Sequence, residues 1–193
     1  MTLVEGDRAL RSDARRNLEQ IVVAARTVFA EQGLDASVAS IAERTGVGTA
    51  TIFRRFPTKD DLVGAVVEHR LRGLAESARL AAASDDPGEA LRGFMATAVA
   101  GFVGDRCFCE AAGSSSFARA EVSALAEELR LSVAELVRRA QAAGMLRTDV
   151  TAEDVRVLVM AVGRAGLMLE QATPGAWRRY LDLVLDGLRP LDR

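Results

Sequence analysis

Few residues in this 193-residue chain carry groups suited to covalent or metal chemistry. There is one histidine, His69, and there are two cysteines, Cys107 and Cys109, separated by a single residue. A Ser/His/Asp triad could be assembled only around His69. Two thiols with no histidine nearby in sequence make half of a zinc site. Their spacing is too short for an ordinary disulfide framework and fits a reducing compartment. Ser114–Ser116 lies outside any G-x-S-x-G context and reads as linker. The expectation is a non-enzyme with no catalytic residue, no metal and no cofactor.

What the chain offers instead is positive charge gathered in one place. Arg54, Arg55 and Lys59 cluster, and Lys59 is the only lysine. Between residues 15 and 59 seven basic side chains face four acidic ones, a balance of +3 in a chain of net charge −2, so the remainder carries −5. A basic head on an acidic body concentrates phosphate affinity at the head and repels nucleic acid elsewhere. The mild overall acidity excludes a protein that coats nucleic acid indiscriminately.

The elements that must position these groups are helical. With 49% hydrophobic residues the chain can bury a core, which excludes wholesale disorder. Apolar residues recur at i, i+3 and i+4, and strict two-residue alternation is absent, so the fold class is all-α. No apolar run approaches the ~18–20 residues of a bilayer span, and the N-terminus lacks an apolar signal core, so a cytoplasmic protein with no membrane partner is expected. Leu18, Ile21, Val22, Ala25, Val28 and Phe29 mark one face of a first helix, from about Ser12 to Gly33. Ser37 caps a short helix ended by Gly46, and another short helix runs from about Thr49 until Pro57 stops it. Thr58 with Asp61 forms a capping box for a long helix to about Ala83. Further helices are expected at about 88–103, 107–112, 118–143, 151–171 and 175–188, nine in all. Thr151 with Asp154 makes a second capping box.

In Ser37–Phe56, two short helices joined by a glycine turn can bring Val38, Ile41, Ala42, Val47, Ile52 and Phe56 into one small core. Ala42 is small where the helices approach, and Gly46 supplies the turn. This is helix-turn-helix patterning, in which the second helix enters the DNA major groove.

Ile21–Leu62 also resembles the N-terminal DNA-binding domain of the TetR family of transcriptional regulators. The matching pieces are Ala24–Phe29, Glu31–Leu34, Ser37–Ala42, Thr45–Val47, Thr51–Phe56 and Thr58–Leu62, in order and at matching spacing. Trp177–Leu188 resembles the closing helix of one branch of the family. The resemblance implies an N-terminal domain over 1–57 and a larger domain over 58–193 that dimerises and binds a small effector. It places base reading on Thr49, Ala50 and Phe53. Phosphate contacts fall on Thr51, Arg54, Arg55 and Lys59, with Val38 near the start of the first motif helix. Thr and Ala can touch a thymine methyl, while cations fix register on phosphates. Three positions depart from the family pattern: Phe53 stands where Tyr is usual, Gly48 where Ser usually caps the helix, and Arg55 where His is common.

The residues themselves support part of the implied second domain. Val155, Leu158, Val159 and Val162, then Leu181, Val184, Leu185 and Leu188, form apolar stripes that could pair with their copies in a four-helix dimer interface, with Gly163, Ala165 and Gly166 allowing close approach. The same helices could instead pack only within one chain. Phe94, Phe102, Phe108, Phe117, Met160 and Met168 could line an apolar ligand pocket, with Glu110, Arg106 or Arg164 as polar handles. The expected function is a homodimeric repressor of a pseudo-palindromic double-stranded operator, released by a small apolar or amphipathic effector. The alternatives are a helical binding protein or enzyme with a vestigial head, or a ligand-independent regulator or activator.

Overall fold

Eight helices and no strand make up the described part of the chain. The computed structural model describes residues 3–105, 108 and 119–190. In order they are α1 (Leu3–Gln32), α2 (Val38–Thr45), α3 (Thr49–Arg55), α4 (Lys59–Ala82), α5 (Pro87–Val103), α6 (Ala120–Ala142), α7 (Ala152–Leu169) and α8 (Trp177–Gly187). The helix expected at 107–112 lies outside the described residues apart from Phe108, as do Cys107, Cys109 and Ser114–Ser116. No helix among the described residues is long and apolar enough to cross a membrane. The first helix starts nine residues before the expected Ser12, because no proline interrupts its polar, helix-compatible N-terminal stretch.

Local chemistry sets most of the other boundaries. The Thr58 hydroxyl accepts from Asp61 N at 3.1 Å while the Asp61 carboxylate accepts from Thr58 N at 3.1 Å, the reciprocal box that starts α4. Thr151 and Asp154 repeat the arrangement at α7, at 3.1 and 2.8 Å. Asp86 caps α5 by accepting from Glu89 N at 3.0 Å, with Pro87 at the first helical position, where a missing N–H costs nothing.

Packing sustains what capping begins. Helices of 8 and 7 residues, such as α2 and α3, are too short to persist alone in water. They hold because Ile41 and Ile52 are buried with Ile21, Ala25 and Phe29 of α1 and with Phe56. Each large side chain so buried contributes about 1.5–3 kcal/mol. Below this head, α4 runs along α6, α5 packs on α7, and α8 closes over α7 and α5.

Most of the expected dimer stripe is engaged within the chain itself. Val155, Val159, Val162, Leu181 and Leu185 are buried within the chain's own core, and Leu158, Val184 and Leu188 are half-buried against it. The glycines serve the same internal contact. A Cβ at Gly163 would lie 2.5 Å from Cβ of Phe102, and one at Gly166 would lie 2.7 Å from a methyl of Val103. The most apolar stripe of each helix therefore faces its own fold. The outer faces of α7 and α8 carry a second, smaller apolar set: Val157, Met168, Tyr180 and Leu183.

Candidate nucleic-acid interface and ligand cavity

The turn between α2 and α3 is built from short-range hydrogen bonds. Ser37 Oγ accepts from Ser40 N at 3.1 Å and opens α2. Gly46 ends it at φ +69, and a Cβ there would meet nothing within 4 Å. Backbone conformation, not space, therefore asks for glycine. The Thr45 hydroxyl donates back toward Ile41 O at 3.0 Å and accepts from Val47 N at 3.2 Å, clamping the turn from both sides. α3 starts at Gly48 with no side-chain cap, so its first N–H groups remain available to an acceptor from outside.

On this frame Thr49, Ala50, Phe53, Arg54 and Arg55 are exposed, while Thr51, Lys59 and Val38 are half-buried. Phe53 leaves 47% of its surface open to solvent. Arg54 Nη2 donates to the Thr51 hydroxyl at 2.9 Å, so these two candidate phosphate contacts form one unit. Arg54, Arg55 and Lys59 form no ion pair among the described residues. Arg44 behaves differently: its guanidinium grips Glu31 of α1 through two bonds of 2.6 and 3.0 Å. That pairing holds the Glu31 carboxyl below its usual range and lifts Arg44 further. It makes Arg44 a brace between α2 and α1, and leaves the cationic surface concentrated on α3 and the start of α4.

A cavity of about 270 Å³ lies between α4, α5, α6 and α7. Leu71 and Leu74 of α4, Phe94, Ala98 and Phe102 of α5, Leu129 and Val133 of α6, and Val159 and Met160 of α7 line it, together with Phe108. Phe102 and Phe108 meet edge to face, with centroids 5.1 Å apart. Four of the residues singled out for a pocket, Phe94, Phe102, Phe108 and Met160, thus line this one cavity. Two do not: Met168, 81% exposed, and Arg164 stand on the outside of α7, because the helix turns them away from α5. Glu110, Phe117 and Arg106 lie outside the described residues. The polar groups at the cavity are instead Arg130, Glu153 and Arg156.

Beside the cavity sits a buried acid. Asp105, 5% exposed, accepts from Phe108 N at 3.0 Å, and Arg70 of α4 and Arg26 of α1 draw on its charge. Burial wins over these stabilising contacts and pushes the carboxyl above its usual range. Neither Asp105 nor the rim arginines stood out in the sequence, since what sets them beside a cavity is the docking of α4, α5, α6 and α7.

A helix-turn-helix head presenting exposed cations, set on a helical body that encloses an apolar cavity, defines a class of DNA-binding regulator. Comparison with known proteins agrees. Residues 21–66 match the bacterial regulatory proteins of the tetR family, and residues 86–190 match the C-terminal domain of SbtR-like transcriptional regulators. A TetR transcription regulatory protein from Mycobacterium vanbaalenii is 32% identical over 93% of this chain and 99% of that one, with a TM-score of 0.71. A TetR transcriptional regulator from Streptomyces coelicolor is 29% identical over 90% of this chain and 99% of that one, with a TM-score of 0.70. An HTH-type transcriptional repressor of Mycobacterium tuberculosis is 50% identical over 50 residues, a match that spans 25% of this chain and 27% of the relative. The chain belongs to the TetR family of transcriptional regulators.

Proposed function

We propose that the protein is a repressor that holds a pseudo-palindromic operator as a homodimer and releases it when a small apolar or amphipathic molecule enters the cavity. The observation that carries this reading is the exposed set on α3, Thr49, Ala50 and Phe53, flanked by Arg54, Arg55 and Lys59, which form no ion pair among the described residues. Thr49, Ala50 and Phe53 read base edges. Thr51, Arg54, Arg55 and Lys59 hold phosphates, and the first turn of α2 at Val38 contributes backbone N–H groups.

In a dimer, two copies of α3 enter successive major grooves roughly 34–36 Å apart. Residues 1–57 act as the DNA-binding unit and 58–193 as the effector-binding and dimerising unit. α4 joins the two, since it packs on α1 at one end and lines the cavity with Leu71 and Leu74 further along. An effector shifts DNA affinity only to the extent that it prefers one separation of the heads over the other. The protein acts in the cytoplasm, without catalysis.

An electrophoretic shift assay with purified protein and the DNA upstream of its own gene tests the proposal. Sequence-selective binding that weakens steeply with salt is expected. Indifference to sequence, or no binding at low salt, would refute it.

A further inference from the structure

The rim of the cavity is chemically more specific than its interior. Apart from Arg130 of α6 and Glu153 and Arg156 of α7, the named wall is hydrocarbon, aromatic ring and thioether. Each guanidinium is held by a glutamate three residues before it on its own helix. Arg130 donates from Nε and Nη2 to Glu127 at 2.7 and 2.6 Å. Arg156 donates from Nε to Glu153 at 2.8 Å and from Nη2 to the other oxygen of that carboxylate. These side-on pairs leave over the Nη1 donors. Arg156 Nη1 turns to the Met160 sulfur on the cavity wall at 3.2 Å, a weak acceptor. Arg130 Nη1 makes no hydrogen bond among the described residues. Both guanidiniums are about half exposed, at 54% and 56%, which places them at the mouth.

Resting on the reading of this cavity as the effector site, we infer that it takes an uncharged amphipathic molecule. Its apolar body fills the interior, and a carbonyl or ester oxygen sits on the Nη1 donors of Arg130 and Arg156. Three physical points select this class. The cavity, at about 270 Å³, has room for a small apolar body such as a medium-length chain or a ring pair. Each rim guanidinium already holds a carboxylate, Glu127 for Arg130 and Glu153 for Arg156, so an entering anion meets repulsion as well as attraction and loses its hydration beside an apolar wall. A cationic head finds both carboxylates already engaged by guanidinium forks. An uncharged acceptor meets neither obstacle and replaces the thioether as the partner of Arg156 Nη1.

Isothermal titration of the full-length protein with γ-decalactone, decanoate and decylamine tests this. These probes match in carbon number and differ in head-group charge. The lactone is expected to bind about tenfold tighter than either charged probe. Replacing both rim arginines, Arg130→Met with Arg156→Met, should weaken lactone binding by about tenfold while thermal melting reports that the fold persists. Decanoate or decylamine binding as tightly as the lactone overturns the inferred class and leaves the cavity's role standing. Full lactone affinity in the double variant overturns the seat on the arginines. Failure of all three probes to bind overturns the effector-site reading itself, and this inference with it. The ranking on the unaltered protein decides the class even if the variant fails to fold.

Discussion

Arg119, the residue before α6, donates from Nη1 to Oδ1 of Asp61 at 2.9 Å across 58 residues of sequence. The other oxygen of the same carboxylate accepts from the Thr58 hydroxyl at 2.7 Å and from Thr58 N at 3.1 Å. One aspartate therefore both caps the helix that begins with Lys59 and ties it to α6, whose middle turns form a wall of the cavity. The start of α4 is thereby linked to the cavity's own framework, two turns from the proposed phosphate contact at most.

These bonds, the Thr58 hydroxyl first and Arg119 next, hold the Asp61 carboxyl below the usual aspartate range. A depressed acid contributes stability that is present above its unfolded pKa and lost as pH falls through its folded one. Asp61→Asn should therefore lower stability at neutral pH and remove part of the decline that the unaltered protein shows below pH ~4. Thermal melts across acid pH check this. Parallel profiles for the two proteins would contradict it.

The division between phosphate anchors and base readers is open to a salt titration. Lys59→Ala or Arg54→Ala should weaken binding about equally for all DNA sequences and reduce the slope of log affinity against log salt by about one. Arg54→Ala also frees the Thr51 hydroxyl from its bond, so Thr51→Ala should add little on top of it. Thr49→Ala should change the ranking of operators and leave the salt slope intact. Fluorescence anisotropy with an operator panel makes the distinction.

Asp105 has the opposite sign from Asp61. Burial raises its carboxyl pKa against the pull of the Phe108 N–H, Arg70 and Arg26. An acid raised on folding ionises first in the unfolded chain, so its contribution to stability falls as pH rises from the unfolded to the folded pKa. Asp105→Asn keeps an acceptor for Phe108 N and removes that titration. The stability of the variant relative to the unaltered protein should grow as pH rises from ~4 toward neutrality. Urea melts at successive pH values measure the difference, and a constant difference would refute the assignment.

The two faces of α8 should respond differently to substitution. Leu181, 3% exposed, sits in the core, and Leu181→Ala should cost about 2–5 kcal/mol of stability. Leu183, 56% exposed, lies on the outer apolar set with Tyr180. Leu183→Glu should leave the monomer fold nearly untouched and shift the protein from dimer to monomer in analytical ultracentrifugation. Loss of folding in Leu183→Glu, or an undisturbed dimer, would count against the outer face as the contact between copies.

The sequence alone determined what depends on neighbours a few residues away. The Ser37 cap, the turn at Gly46 with its Thr45 clamp, the stop at Pro57 and the two capping boxes all close within four residues. The head and its cationic cluster, and the start or end of most described helices, were legible for that reason. Periodicity also revealed that α7 and α8 each have an apolar stripe. It could not say what the stripe meets, because a partner copy and the chain's own α5 present the same apolar chemistry. Only tertiary packing turned Val155, Val159, Val162, Leu181 and Leu185 inward, and swung Met168 and Arg164 away from the cavity. The same holds for charge. Whether an arginine is available for phosphate depends on which acid lies within reach, and Glu31 reaches Arg44, as Asp61 reaches Arg119, only once separate helices have docked.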